Sequence, residues 1–258
     1  MGERDRHDQG TFSWADLTTT NVDAAKALYT ALFGWEYDDI PFPGGGGVYS
    51  MAKLGGRIAA AISPSMQPDQ PPVWNSYVTV DDADAAATRA RELGGTVAME
   101  PFDVGEAGRM AVIQDPAGAF FCLWQPRNSI GAEVVNAPGA LSLNQLNTSD
   151  PEGAEAFYGG LFGWRFEKQP GTEQDYWGIY RDDRLNAGML KMGPEFGPAP
   201  PHWLVYFGSD DLDAAVEKIR GAGGTIITEK MAVPGGEIVV AHDAQNAVFA
   251  MFDGRFDG

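Results

Sequence analysis

The sequence predicts an α+β fold written twice: two tandem domains, each made of two βαβββ units that form one curled, open-barrel sheet with its helices outside. Three observations carry this. First, "AKALYTALFGW" ending at Trp35 returns as "AEAFYGGLFGW" ending at Trp164, an offset of 129 residues. Aligned without gaps at that offset, 12–35 and 141–164 agree at ten of 24 positions, among them Ser13, Leu17, Tyr29, Phe33, Gly34 and Trp35. Second, the same offset lays 71–97 on 200–226 and keeps Trp74/Trp203, Tyr77/Tyr206, Arg91/Arg220 and the "DD", "DAA" and "GGT" groups. One domain has therefore been duplicated and fused. Third, the order strand, helix and three strands recurs within the first half.

Taken along the chain, residues 1–11 are polar and charged with nothing to bury, which predicts a flexible N-terminal arm. From Phe12 the pattern alternates as a strand does, with Ser13, Ala15 and Leu17 on one face and Trp14, Asp16 and Thr18 on the other. Asn21 is placed to cap a helix in which Ala25, Leu28, Tyr29 and Leu32 recur at helical spacing until Gly34 stops it. Strands are expected over 35–38, 48–54 and 57–62, separated by "PFPGGGG" and the Gly55-Gly56 turn. After the loop "SPSMQPDQPP" come a strand over 75–80, a helix over 82–93 and strands near 97–100, 110–114 and 119–124, with "DPAG" turning the last hairpin. The segment 128–138 has no helical stripe and reads as a linker, so the domains are expected at 12–127 and 139–258. In the second copy Asp150-Pro151 fits a cap and a first helical position.

With 258 residues, 44% of them hydrophobic, the chain can bury two ordinary cores. Its 36 acidic against 18 basic residues give a formal charge of -18, which repels phosphate backbones and anionic lipid. Neither nucleic acid nor a membrane is expected as a partner. The lack of a long apolar run, or of an apolar leader in "MGERDRHDQG", predicts a cytoplasmic protein. A single cysteine, Cys122, rules out an intrachain disulfide, and neither Cys-x-x-Cys nor His-Glu-x-x-His occurs.

Helices cover one face of such a sheet, so the other face forms a trough. Strand alternation assigns its lining, because the helix-covered face is the uniformly small or apolar one. Ser76, Val78 and Val80, with Ala119, Phe121 and Leu123, go under the helices and leave Trp14, Asp16, Asn75, Tyr77, Cys122 and Trp124 in the first trough. The same parity puts Leu143, Gln145, His202, Leu204, Tyr206, Ala250 and Phe252 in the second. An aromatic strip interrupted by a carboxylate and an amide makes an awkward dry core, since buried polar groups need partners. It suits a planar, partly polar or cationic ligand. Asp16 has two readings: a general base, or the partner of Arg57 or Arg109 in a structural ion pair. Cys122 reads as an inert small hydrophobe, the glycine run 44–47 as a turn or lid, and His7 and His242 as solvated surface.

The paired βαβββ units, "FY..LFGW" on the first helix, "VDDADAA...LGG" on the second and "DPAG" before the last strand resemble the vicinal oxygen chelate superfamily. That group contains glyoxalase I, extradiol dioxygenases and bleomycin-resistance proteins. With "GGGGVYSMA", the whole pattern looks most like its tandem actinobacterial members. The resemblance implies metal ligands seven residues before the first helix cap, six before the Asp that opens "DD", and seven after the turn Asp. Those positions hold Trp14, Asn75 and Cys122 in the first domain and Leu143, Leu204 and Ala250 in the second. The remaining ligand belongs near Ala60 and near Gly188, and none of the firmly placed positions keeps its usual residue.

Gln145 and His202, each two positions from a usual ligand position, are the remnant candidates for a metal. If their strands run antiparallel, the two shifts bring them to one level. The expectation is a metal-independent small-molecule binding protein without a cofactor, holding an aromatic metabolite, antibiotic or toxin. Its site residues would be Trp14, Asp16, Asn75, Tyr77, Cys122 and Trp124, together with Gln145, His202, Tyr206 and Phe252. The two domains are expected to pack on each other, in a monomer or homodimer. The alternative is an enzyme of the same superfamily, a glyoxalase-type lyase or a dioxygenase, using one divalent metal at Gln145 and His202 or, metal-free, Asp16.

Overall fold

The computed structural model describes residues 2–42, 45–65, 70–170 and 174–255. Parts of the two expected loops, at 43–44 and 66–69, lie outside the described residues. In the first half, β1 (Gly2–Glu3) precedes β2 (Phe12–Thr19), α1 (Val22–Phe33), β3 (Glu36–Pro41), β4 (Val48–Leu54) and β5 (Arg57–Pro64). The second unit is β6 (Val73–Thr79), α2 (Ala83–Glu92), β7 (Thr96–Val104), β8 (Gly108–Gln114) and β9 (Phe120–Pro126). After β10 (Val134–Val135) the second half gives β11 (Leu141–Thr148), α3 (Pro151–Phe162), β12 (Arg165–Lys168), β13 (Tyr176–Arg181) and β14 (Arg184–Lys191). It closes with β15 (His202–Gly208), α4 (Leu212–Gly221), β16 (Thr225–Val233), β17 (Gly236–His242) and β18 (Val248–Gly254).

Local chemistry sets the helix ends. Asn21 caps α1 by accepting from the Ala24 N–H at 3.0 Å, and Gly34 stops it in the left-handed conformation at φ 70°. Asp150 and Gly163, at φ 73°, repeat the arrangement around α3. Each cap satisfies backbone groups that the helix itself leaves open. The strands form two mixed sheets in equivalent order, β3, β4, β5, β2, β6, β9, β8, β7 and β12, β13, β14, β11, β15, β18, β17, β16. In each sheet the central strand pairs in parallel with one neighbour and antiparallel with the other.

The helix-bearing faces of the two sheets meet. Phe207 of β15 packs its ring against Phe33, Trp35 and Trp74, at centroid distances of 5.1, 5.5 and 4.8 Å. Phe12 and Phe121 pack in the same way on Trp203 and Tyr158, at 4.8 and 5.5 Å. Burying such rings contributes ~1.5–3 kcal/mol each. Two polar relays cross the seam. The Trp74 indole donates to the Tyr29 hydroxyl at 3.0 Å, which donates to Asp243 at 3.2 Å. Trp203 donates to Tyr158 at 2.9 Å, which donates to Asp115 at 2.9 Å. Burial raises both carboxyls above the usual range, against the hydrogen bonds that favour the charge. Trp35 donates to the Gly139 carbonyl at 2.8 Å and Trp164 to that of Gly10 at 2.7 Å. The repeated Tyr and Trp of "FY..LFGW" are thus the keys by which each half locks into the other.

Three sequence expectations change here. The N-terminal arm is not loose: β1 pairs antiparallel with β10, Gly10 donates to Thr79, and the Gly10 carbonyl receives Trp164. His7 is not solvated surface but half-buried, its ring nitrogen 2.7 Å from the Ala132 carbonyl, and burial lowers its pKa. Backbone pairing, invisible in composition, supplies what the arm's polar side chains do not. The linker is likewise structured, since Ala132, Val134, Val135 and Ala137 are buried and β10 pairs with β11.

Candidate functional site

In the first trough, register puts Ala61, Asp16 and Asn75 side by side, with Met51 beyond Ala61. The next row is Trp14, Tyr77, Cys122 and Val112. All six predicted lining residues therefore share the face opposite the helices. Asp16 is at the centre. Its carboxylate accepts from the hydroxyls of Tyr49 at 2.8 Å and Tyr77 at 2.9 Å, and from the Asn75 amide at 2.9 Å. The Trp14 indole donates to Tyr49 at 3.2 Å and Trp124 to the Ser129 carbonyl at 3.0 Å.

This floor is closed by its own side chains. Trp14 and Asp16 are each 6% exposed and Trp124 8%, and Gly108 is a glycine where a side chain would collide with the Trp124 ring. Burial raises the Asp16 carboxyl above the usual range, opposed by the bonds from Asn75, Tyr49 and Tyr77. It also drives the thiol of Cys122 up, helped by the Asp16 charge, so no reactive thiolate forms there. The ion pair expected for Asp16 is absent. Arg57 pairs with Glu3, and Arg109 with Asp84 and Asp103, all near the surface, where long cationic side chains keep their hydration.

Above the closed floor the rim is apolar. Phe120 is 53% and Met99 48% exposed, and Ile40, Val73, Phe102 and Val104 are exposed as well. Register aligns Ile40 with Tyr49, Val73 with Thr18, Met99 with Val112 and Phe102 with Met110, so these stand on the trough face of both walls.

The second trough is built at equivalent positions with different chemistry. Gln145 takes the place of Asp16, and Leu204, Tyr206, Ala250 and Phe252 line the floor with Leu143. Gln145 and His202 do not share a level: β11 and β15 are antiparallel, but register sets Gln145 against Leu204 and His202 against Asn147. Asn147 bridges the gap. Tyr206 donates to Gln145 at 3.1 Å, Gln145 to Asn147 at 2.8 Å, and Asn147 lies 3.0 Å from His202 Nε2. The other ring nitrogen, Nδ1, is 2.9 Å from the Pro200 carbonyl. That carbonyl can only accept, so the proton belongs on Nδ1 and Nε2 accepts from Asn147. Leu143, His202 and Phe252 are only half-buried, which leaves this trough more open than the first.

The parity argument did not reach Tyr49, Asn147, Tyr176 and Tyr180. Tyr49 and Tyr176 occupy the third strand of the first unit in their domains, and reading alternation outward from the central strands would have found them.

The positions at which the resemblance implies a metal do not fit one. Trp14, Leu143, Leu204 and Ala250 supply no donor, and Asn75 and Cys122 share their floor with an Asp16 carboxylate already taken up by Tyr49, Tyr77 and Asn75. Among the described residues no three His, Cys, Asp or Glu side chains converge. A divalent ion needs several converging N, O or S donors.

Two sheets of paired βαβββ units with these motifs define the class. The chain belongs to the Glyoxalase/Bleomycin resistance protein/Dioxygenase superfamily, whose pattern it matches over residues 11–123 and again over 140–253. A Mycobacterium tuberculosis protein, CFP32, provisionally named a glyoxylase, is 44% identical over 97% of both chains. The anthracycline biosynthesis protein DauV of a Streptomyces species is 34% identical over 95% of this chain and 94% of its own. Among solved structures, a Mn(II)-bound glyoxalase from Novosphingobium aromaticivorans superposes with a TM-score of 0.66 at 14% identity, covering 97% of this chain and 85% of that one. The 2,2',3-trihydroxybiphenyl 1,2-dioxygenase of Sphingomonas wittichii gives 0.66 at 13% identity, covering 97% and 93%. At such identities these structures speak for the fold alone. No helix among the described residues is long and apolar enough to cross a membrane.

Proposed function

We propose that the chain is a metal-independent small-molecule binding protein that takes a planar aromatic metabolite against its trough faces. One observation carries the reading: the large apolar side chains that the first domain leaves exposed, Ile40, Val73, Met99, Phe102, Val104 and Phe120, gather on the trough side of both walls. Scattered exposed apolar residues are ordinary, but a rim of them around a polar centre marks a binding surface. The donor set argues against the superfamily's metal chemistry, and a relative named for anthracycline biosynthesis fits a polycyclic ligand.

Thermal unfolding across a panel of aromatic metabolites tests this. Specific binding raises the melting temperature with ligand concentration. No rise with any compound, or one tightly held metal per purified chain, would overturn it.

A second reading rests on Asp16, a carboxyl raised by burial beside two phenols, which is the environment of a general acid or base. It predicts a turnover that chelators leave untouched and Asp16→Asn abolishes.

A further inference from the structure

The second trough has two walls of opposite character. Leu204, Ile238, Val240, Ala250 and Phe252 make one apolar. The other is hydroxyl and amide, and its shape depends on two glycines. Gly178 and Gly188 pair directly across β13 and β14, and Gly188 pairs in turn with Gln145. A Cβ on Gly188 would strike the Tyr176 hydroxyl, and one on Gly178 the Tyr180 ring. The missing side chains leave a recess into which both phenols lean, toward Gln145 and Tyr206. Burial, with Tyr180 alongside, pushes the Tyr176 hydroxyl up to about 12, and Tyr176 in turn helps to raise Tyr206, so both of these stay neutral.

The Tyr176 and Tyr180 hydroxyls have no hydrogen-bond partner among the described residues. The relay from Tyr206 to Pro200 runs one way, so the Tyr206 oxygen remains free to accept and Gln145 keeps a second N–H to donate. The named wall and floor side chains carry no formal charge, and the Arg165 guanidinium, 4.9 Å over the Tyr180 ring, is already paired with Glu167. Open donors and acceptors on one side and hydrocarbon on the other describe the edge chemistry of what fits between.

We infer that the second trough binds an uncharged ring system with carbonyl and hydroxyl oxygens along one edge. Tyr176, Tyr180 and Gln145 take the oxygenated edge, and Leu204 and Phe252 carry the bare one. This rests on the small-molecule binding reading above and adds to it the class of ligand that the second trough takes.

The test is calorimetric titration of the full chain with 1,8-dihydroxyanthraquinone, with anthraquinone and with anthraquinone-2-sulfonate. The dihydroxy compound should bind one per chain about tenfold more tightly than anthraquinone, the worth of one to two extra neutral hydrogen bonds. The paired substitution Tyr176→Phe and Tyr180→Phe keeps the rings and should erase that preference. Gly188→Ala, which pushes Tyr176 out of the recess, should do the same. Equal affinities, a preference surviving the Phe substitutions, or tighter binding of the sulfonate would each overturn the inference while leaving small-molecule binding in place. Binding of none of the three overturns it as well, and the broader reading then stands or falls on its own melting screen.

Discussion

The two troughs occupy equivalent positions in a duplicated fold and have become different environments. The first surrounds a carboxylate with tyrosines and tryptophans and shuts it from water. The second exchanges the carboxylate for an amide, the tryptophans for Leu143 and Phe252, and stays more open. Duplication frees one copy of a site to change while the other half of the molecule still supports its fold. What was held constant is the seam, where the Trp-Tyr-Asp relay is present twice with nearly the same distances.

Large-to-small substitution at matched positions sharpens this contrast most. Trp14→Ala removes a buried ring and should cost about 3–5 kcal/mol, whereas Leu143→Ala, at a half-buried site, should cost ~2 kcal/mol or less. Chemical denaturation reads both, and equal costs would break the distinction between closed and open troughs. The seam predicts the opposite pattern. Tyr29→Phe and Tyr158→Phe each strand an indole N–H and a carboxyl, so both should cost about 1–3 kcal/mol, alike within error. A large inequality would show that the halves do not share the load.

A pH effect on stability is expected from the first trough only. Because burial raises the Asp16 carboxyl, the folded chain keeps a proton that the unfolded chain has lost. That contribution is fully present below the ordinary carboxylate range and is lost as pH rises through the folded value. The stability of the parent relative to Asp16→Asn should therefore fall across this window and then level. A rise would mean that Tyr49, Tyr77 and Asn75 outweigh burial. Gln145→Ala should show no such pH dependence, having nothing to titrate. The smallest signal is kinetic: Cys122 should resist thiol reagents in the native protein and react on unfolding, and rapid native labelling would show that the first trough opens.

Much of the architecture was legible because the sequence carries it twice. Asn21, Asp150, Gly34 and Gly163 stand where helix ends must be chemically closed, and alternation along β2, β6 and β9 assigned the trough face correctly. Register was not legible. A period of two says which face Gln145 and His202 share but not which residue each one meets, and that offset left Asn147 unseen. Long-range pairing was hidden for the same reason. Nothing near Tyr29 in the sequence points to Asp243, and nothing polar in residues 1–11 foretells a strand partner at Val134–Val135.

The two relays differ in one respect, the length of chain they close. Tyr158 reaches back only 43 residues to Asp115, whereas Tyr29 waits for Asp243, 214 residues downstream. Loops this unequal close at different entropic cost, and contacts of high sequence separation are made late. During synthesis Tyr158 has its acceptor Asp115 as soon as α3 emerges and lacks only Trp203, 45 residues further on. The Tyr29 and Trp74 pair stays without its acceptor until the last hairpin has been made. The halves therefore close like a book bound first along one edge, and the order of assembly is written into which Asp each tyrosine was given.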